Sequence, residues 1–246
     1  MDSLIFPEDF KIKTVSEFCA ETKSGSTPSR TNNEYWENGT ISWVKSGEVH
    51  NNITLQTEEY ITSLGLSESS TKLLPKDTVL MAMYGVTAGE VGYLAIEATT
   101  NQAICGMICR SKAEAAYLYF SLIQSQAAIS RLSNGGAQDN LSKNFIDNIK
   151  IVVPPSEFIE KLNLAAIVEQ MTLNTKEITL LEELQATVLA QLSSRLIIIY
   201  LLLQSNSIFN SSIILHYFLL FFDWRKFYLN FRNITKSAIF SCRTLS

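Results

Sequence analysis

The fold is decided by residues 154–195, PPSEFIEKLNLAAIVEQMTLNTKEITLLEELQATVLAQLSSR. Pro154-Pro155 end any strand that precedes them, because proline cannot donate to a sheet and holds the preceding residue extended. A helix can then begin at Ser156. If residues 156–195 are helical throughout, they reach about 60 Å at about 1.5 Å per residue. The stretch therefore predicts a long spacer or dimerisation helix behind a smaller domain.

One apolar stripe runs along this predicted helix. Most of its members are spaced alternately by seven and by three or four positions, which is the spacing of a seam that packs lengthwise on another helix. Asn174 and Gln185 fall on the same seam, where polar residues set register and partner number at some cost in stability. The alternative is a single amphipathic helix that lies on its own domain. The predicted helix-pairing residues are Met171, Ile178, Leu181, Leu184, Val188 and Leu192.

Ahead of the double proline, apolar runs alternate with turns. Ser111-Lys112-Ala113-Glu114 has the capping-box arrangement and predicts a helix that closes at Asn134-Gly135-Gly136. The order of lead-in, strands, helix and strand predicts an α+β domain with a mixed, mostly antiparallel sheet and short helices, followed by the long coiled-coil-type helix. The predicted strands are 41–44, 78–83, 91–96, 99–109 and 146–153.

Charge divides the chain after residue 195. Residues 1–195 carry 23 acidic and 15 basic side chains, a net charge of −8, whereas residues 196–246 carry one acidic and five basic side chains, a net charge of +4; the sum is the overall −4. The second part is rich in Leu, Ile, Phe, Ser and Asn and contains neither glycine nor proline. We interpret 196–246 as an apolar tail, either translated from a non-native reading frame or disordered. The alternative is a membrane anchor at 196–222, although polar residues interrupt a clean span there.

Cysteine and histidine usage argues against a metal centre. The cysteines show no CxxC pair, so we expect buried small hydrophobic residues in a reducing cytoplasm rather than disulfides or zinc ligands. With only His50 and His216, a histidine-based metal site is not expected. No Gly-Lys-Ser/Thr follows the glycine pair at Gly85 and Gly89, and no GxGxxG occurs, which excludes the common phosphate-binding loops. The four cysteines are Cys19, Cys105, Cys109 and Cys242.

Several short motifs, in their order and spacing, resemble those of a specificity subunit of a type I restriction-modification system. The resemblance covers residues 10–195, essentially one target-recognition domain (1–153) and one spacer or dimerisation helix (154–195). It suggests a half-length or truncated member, because family members commonly carry two recognition domains and no internal repeat occurs here. The motifs are Gly25-Ser26-Thr27-Pro28, Tyr35-Trp36 with Ile41-Ser42-Trp43, Tyr84-Gly85 with Gly89, Asn101-Gln102-Ala103-Ile104, Asn140-Leu141-Ser142 and the double proline with its helix.

The resemblance implies a cytoplasmic, non-catalytic subunit that reads double-stranded DNA. Partner modification subunits would methylate adenine from S-adenosylmethionine, and a restriction subunit would join them in an ATP-dependent complex, so no cofactor is expected in this chain. Two copies could pair through 156–195 and so read a palindromic split site. A methyltransferase in its own right is disfavoured, since Val153-Pro154-Pro155-Ser156 has the wrong flanks for the catalytic motif of that class.

The candidate DNA contacts lie in the polar loops at 23–30, 45–48, 84–89 and 138–143, which offer amide, hydroxyl and cationic donors. A net charge of −8 is not the usual footprint of a DNA-binding protein, so weak binding by the isolated chain is expected. Each residue could instead be an ordinary solvated loop residue. The candidates for base contacts are Thr27, Arg30, Lys45, Ser46, Gln138 and Asn140, and those for phosphate contacts are Lys23, Tyr84 and Lys143.

Overall fold

The computed structural model describes residues 9–50, 52–134 and 140–205, with side chains described except at 132–134 and 194–205. The chain separates into two compact units, Met1–Thr172 and Leu173–Ser246. The domain boundaries predicted at 153/154 and 195/196 stay predictions. Gln138 and the tail beyond residue 205 lie outside the described residues.

A five-stranded sheet forms the centre of the first unit within the described residues. Its order is β2-β9-β6-β7-β4, antiparallel except where β4 lies parallel to β7. The three inner strands of this sheet are almost wholly apolar, as expected where a sheet is buried on both faces, whereas the edge strand β2 is polar and partly exposed. They are β2 (Glu21–Ser24), β4 (Ile53–Thr54), β6 (Thr78–Ala82), β7 (Val91–Leu94) and β9 (Ile104–Ile108).

A second, three-stranded sheet has the strand order β5-β3-β8. β3 (Ile41–Val44) pairs antiparallel with β5 (Glu59–Ile61) and parallel with β8 (Thr99–Thr100). Since β8 leads into β9 through residues 101–103, this short connection joins the two sheets. The fold class predicted from the sequence, α+β with mixed and mostly antiparallel sheets, is confirmed.

A two-stranded ribbon closes the domain. β1 (Lys11–Thr14) pairs antiparallel with β10 (Lys150–Val153), and Lys11 lies opposite Val153. Between β1 and β2, α1 (Val15–Phe18) begins with a complete capping box from Thr14 and Glu17. The ribbon brings the start of the domain next to the double proline that precedes the long helix.

The main core lies between the five-stranded sheet and α3 (Lys112–Asn134). Tyr93 and Tyr119 meet edge to face with ring centroids 5.7 Å apart, and the Tyr93 hydroxyl donates to Asp77 at 3.0 Å. Cys19 and Cys105 are buried in this core and Cys109 is half-buried, all as free thiols, whereas Cys242 lies outside the described residues. Burial raises the pKa of Cys105 to about 12, so this thiol stays protonated and inert at neutral pH.

The predicted single helix over 156–195 is wrong in one respect. The chain forms a short α5 (Ser156–Lys161) and then a long α6 (Leu164–Ser205), with a break at Asn163, whose φ is 50°. This left-handed conformation ends α5, and asparagine tolerates it better than most residues. The long helix is present, but it begins eight residues late and passes the boundary predicted at Arg195.

The final strand predicted at 146–153 is also corrected. Ser142 caps α4 (Lys143–Asp147) by accepting the Phe145 amide N–H at 3.1 Å, and the strand begins only at Lys150. A further short helix, α2 (Ser63–Ser67), lies in the polar stretch between β5 and β6. The strand prediction failed because apolar residues at 145, 146 and 149 fit a short helix as well as a strand.

The predicted helix-pairing residues lie along α6 and none of them is buried. Leu181, Leu184 and Leu192 are exposed, while Met171, Ile178 and Val188 are half-buried. Within the described parts of the chain, no helix combines the length and the apolar character that a membrane span needs. Most of the alternative anchor at 196–222 lies beyond the last described residue.

Candidate nucleic-acid interface

The ends of several strands meet around the turn at 101–103. β9 begins between the ends of β2 and β6, because Ser24 lies opposite Cys105 and Ala82 lies opposite Ile104. The end of β3 is added by its parallel pairing with β8, in which Val44 lies opposite Thr100. Loops that follow β2, β3 and β6 must therefore leave the sheets at one common edge.

Backbone hydrogen bonds tie these loops to the turn. The Asn101 amide N–H donates to the Val44 carbonyl at 3.0 Å, and the Met83 amide N–H donates to the Ala103 carbonyl at 2.7 Å. The segment after α3 joins them, since the Leu141 amide N–H donates to the Met83 carbonyl at 2.7 Å. These hydrogen bonds hold together the sequence-predicted loops after β2, β3 and β6 and the segment at Asn140. The residues that they join are far apart in the chain.

Gly25 makes the closest of these approaches. A Cβ atom at this position would lie 2.2 Å from the Asn101 carbonyl oxygen and 2.2 Å from the Thr100 hydroxyl. Its amide N–H donates to the Ile104 carbonyl at 3.1 Å, and the next amide, that of Ser26, donates to the Thr100 carbonyl at 2.9 Å. Only glycine fits here without displacing the turn.

Arg30 lies against two tryptophan rings at the end of this first loop. Its guanidinium carbon is 3.6 Å from the ring centroid of Trp36 and 4.7 Å from that of Trp43. The rings meet edge to face at 5.1 Å, and their indole N–H groups donate to the carbonyls of Ser29 and Ser26. Stacking on aromatic faces fixes the orientation of the planar guanidinium, while half of the Arg30 side chain stays exposed to solvent.

Carboxylates form ion pairs with both Arg30 and Lys45. Glu59 lies directly opposite Trp43 in the β3–β5 pair, so its side chain shares a face with the ring and with Lys45 two residues on. Glu59 binds the guanidinium of Arg30 and lies 3.3 Å from the Lys45 ammonium, while Glu58 lies 2.5 Å from that ammonium. The hydrogen bond from Arg30 lowers the pKa of Glu59, and the hydrogen bond to Glu58 raises the pKa of Lys45.

Glu48 fastens the two segments that carry this ion-pair cluster. One of its carboxylate oxygens accepts the Lys45 amide N–H at 2.7 Å, and the other accepts the Glu58 amide N–H at 2.9 Å. Ser46 begins the 3-10 turn Ser46–Glu48 and is half-buried. The segment after β3 is therefore fixed against the segment before β5, and the ammonium of Lys45 is aimed at the carboxylates.

Thr27 contacts a residue that the sequence-based site did not include. Its hydroxyl donates to the side-chain carbonyl oxygen of Gln102, which is exposed on the turn at 101–103. Because Gln102 belongs to one of the motifs that carried the family resemblance, this signal could have found it. Glu58 and Glu59 carried no local signal, since only pairing between strands that are distant in the chain brings them to Arg30 and Lys45.

Tyr84 and Asn140 form a second group on the other side of the turn, where they pair in an isolated antiparallel bridge. The loop after Tyr84 begins with the 3-10 turn Gly85–Thr87, and the side chain of Val86 at its tip is fully exposed. Gly85 has a φ of 71° and Gly89 a φ of 88°, so glycine relieves the strain at both ends of this loop.

Lys143 and Lys23 bind side chains of neighbouring residues. The Lys143 ammonium is 2.6 Å from the Thr22 hydroxyl and 2.6 Å from the Asp147 carboxylate, so it holds α4 against β2. Lys23 pairs with Glu21 at 2.8 Å within β2. The structure thus brings Thr27, Arg30, Lys45 and Ser46 into one group and Tyr84 and Asn140 into an adjoining one, whereas these two lysines are engaged within the fold.

The described residues contain no cluster of three or more His, Cys, Asp or Glu side chains that could hold a metal ion. His50 is exposed, and its Nδ1 lies 2.9 Å from a carboxylate oxygen of Glu90. The groups that the structure brings together at this edge are hydrogen-bond donors, acceptors and ion pairs, which suit recognition of a polar surface.

Comparison with known proteins gives results that agree with the motif resemblance. Residues 7–186 match the family model of the type I restriction modification DNA specificity domain. The specificity subunit of the type I restriction enzyme EcoR124I/EcoR124II from Escherichia coli is 26% identical over 172 residues, which are 68% of this chain and 42% of the relative. The MjaIX specificity subunit from Methanocaldococcus jannaschii is 27% identical over 164 residues, 63% of this chain and 37% of that relative. The chain therefore spans less than half the length of these curated relatives.

Solved structures share the fold. The type I restriction-modification S subunit from M. genitalium superposes with a TM-score of 0.56 at 17% identity, covering 74% of this chain and 45% of that one. A structure described as the basis of complex assembly and conformational transition of the type I R-M system gives a TM-score of 0.51 at 16% identity, covering 78% of this chain and 45% of that one.

Proposed function

Because the chain belongs to the family of type I restriction-modification DNA specificity domains, we propose that it recognises a DNA sequence and performs no covalent chemistry itself. The observation that carries this proposal is the convergence of the loops after β2, β3 and β6 on the turn at 101–103. Amide, hydroxyl, carboxamide and guanidinium groups at one edge are the set that base edges and phosphates require.

Individual roles follow from side-chain chemistry. A guanidinium stacked on Trp36 and Trp43 presents a fixed fork, which suits the paired acceptors of guanine or of a phosphate. The carboxamide of Gln102, held by Thr27, suits adenine. Lys45, Ser46, Tyr84 and Asn140 would supply further contacts along the same edge, and Gln138 remains a candidate.

Partner subunits would supply the chemistry. We propose that this chain assembles with modification subunits that methylate adenine from S-adenosylmethionine and with a restriction subunit that uses ATP. The net charge of −8 over residues 1–195 supports this, because phosphate contacts dominate affinity for DNA and a net acidic chain repels phosphates. Binding by the assembled complex should therefore be much tighter than binding by the chain alone.

A single recognition domain reads only one half of a split site. Two copies that pair through the apolar residues of α6 would relate two such domains by a two-fold axis, and the combined site would be palindromic. The exposed Leu181, Leu184 and Leu192 support this arrangement.

Selection from a random duplex library tests the function. The full chain is reconstituted with the modification subunits of its own system, bound duplexes are recovered over several rounds, and the enriched sequences are read. We expect one split sequence with inverted halves to dominate. Enrichment of no sequence by a complex that has assembled, as judged by size-exclusion chromatography, would refute sequence recognition.

A further inference from the structure

The cations proposed to meet DNA are neutralised from within the chain. Lys45 has two carboxylate partners, Glu58 at 2.5 Å and Glu59 at 3.3 Å, and Arg30 also binds Glu59. These ion pairs form at the edge where the recognition loops converge. A cation paired in this way must give up a carboxylate before it can bind a phosphate, so its net gain from a nearby phosphate is small.

The two carboxylates differ in how firmly they are held. The Glu59 side chain lies on β5 opposite Trp43, is 30% exposed and binds both cations. The Glu58 side chain is 70% exposed and, among the described residues, its carboxylate forms an ion pair only with Lys45, although Glu48 anchors its backbone. Glu58 can therefore swing into solvent without disturbing the sheet, whereas Glu59 cannot.

We propose that Glu58 is a specificity-determining residue that occupies the place of a DNA phosphate on Lys45 until a matching sequence displaces it. An unrelated duplex gains nothing from Lys45, because a new ion pair with phosphate only replaces the existing one with Glu58. A matching duplex adds base contacts through the neighbouring loop, and these offset the displacement. Glu58 thus lowers affinity for unrelated DNA more than affinity for the preferred site.

This inference rests on the proposed function, and substitution of Glu58 by glutamine isolates it. Glu58→Gln keeps the shape of the side chain and removes its charge. Glu97→Gln makes the same change in net charge at an exposed position between the bend at 95–96 and β8. This position lies at the opposite end of β8 from the turn at 101–103, and Glu97 forms no ion pair with any described residue. Lys45→Met, alone and combined with Glu58→Gln, shows whether the effect passes through Lys45.

The measurement is the affinity of the reconstituted complex for an unrelated duplex over a range of salt concentrations. For Glu58→Gln we expect the slope of log affinity against log salt to steepen by up to about 0.9, which is about an eightfold gain in affinity per tenfold reduction in salt. Glu97→Gln should match the wild type, and the gain should vanish in the Lys45→Met background. Unchanged melting temperatures establish that every variant is folded.

Two outcomes overturn the inference: a Glu58→Gln slope equal to that of wild type, or a gain that Glu97→Gln reproduces. The ratio of affinities for the selected and unrelated duplexes is measured on the same samples. A wild-type ratio of one refutes the proposed function, whereas a high wild-type ratio that Glu58→Gln leaves unchanged refutes only the role of Glu58.

Discussion

Gly25 is the residue on which the candidate interface depends most directly. We expect Gly25→Ala to lower the free energy of unfolding by about 1–3 kcal/mol, because the added Cβ would overlap the Asn101 carbonyl oxygen and the Thr100 hydroxyl. Chemical denaturation measures the change. Gly47→Ala is the matched control, since nothing lies within 4 Å of its added Cβ; it should change stability by no more than about 0.5 kcal/mol. Equal effects of the two substitutions would contradict the close packing at the turn.

Arg30 is the cation whose geometry matters as well as its charge. Arg30→Lys keeps the charge but loses the planar group that stacks on Trp36 and Trp43. We expect affinity for the selected duplex to fall about tenfold or more, as for loss of a bidentate base contact, with little change for an unrelated duplex. Lys76→Arg, a cation exchange at the other end of β6, should leave both affinities unaltered. An equal loss of affinity for both duplexes would indicate that Arg30 contacts a phosphate and reads no base.

At this scale, the sequence predicted part of the site for clear physical reasons. Thr27, Arg30 and Lys45 were predicted because small-residue loops and strand ends expose donors, the structure brings them together, and their DNA contacts stay predictions. Glu58 and Glu59 were missed because cross-strand pairing brings them to the cations, and such pairing leaves no mark in the local sequence. The bond from Lys143 to Thr22 could not be predicted, since it links positions that are 121 residues apart, and the phosphate contact of Lys143 stays a prediction.

At the scale of elements, Asn163 separates α5 from α6. Its φ of 50° lies in the left-handed region, which costs most residues roughly 1 kcal/mol more than it costs glycine or asparagine. We expect Asn163→Ala to destabilise the chain by about 1 kcal/mol and Asn163→Gly to be neutral, both measured by thermal or chemical unfolding. If Asn163→Ala is the more stable variant, the two helices prefer to be continuous.

Elements with strong local signals were predicted well. β3, β6, β7 and α3 follow apolar periodicity or a cap, and each lies within a few residues of the predicted range. The short strands β4 and β5 were missed because two or three residues carry too little pattern, and they exist through their partners. The single strand predicted at 99–109 is divided into β8 and β9, which belong to different sheets. The break at Asn163 escaped prediction because the stripe of the long helix continues on either side of it.

At the scale of the whole molecule, the apolar residues of α6 are predicted to join two copies. We expect the full chain to be a dimer and Leu181→Lys to shift it toward monomer, because a charge would be buried in the seam. Ala190→Lys adds the same charge nine residues on, at the opposite side of an ideal helix, and should leave the dimer intact. Sedimentation velocity over a range of concentrations measures both. A monomeric wild type would remove the basis for a palindromic site.

The family could be predicted from the sequence, because several motifs that are weak one by one become specific through their order and spacing. The single recognition domain and the long helix were both predicted, and the family model covers 7–186. The ion pairs of the interface could not be predicted from the sequence. Counting charges gives a net charge of −8 over residues 1–195, but it does not show which cations are already paired with carboxylates.

Hydrogen–deuterium exchange of the reconstituted complex, with and without its selected duplex, tests the central claim most directly. The claim is that the edge around the turn at 101–103 meets DNA. We predict that DNA slows exchange in peptides covering 24–30, 45–48 and 101–103 and leaves the β1–β10 ribbon unchanged. Slowed exchange confined to the ribbon or to α3, with no change around the turn, would contradict the account.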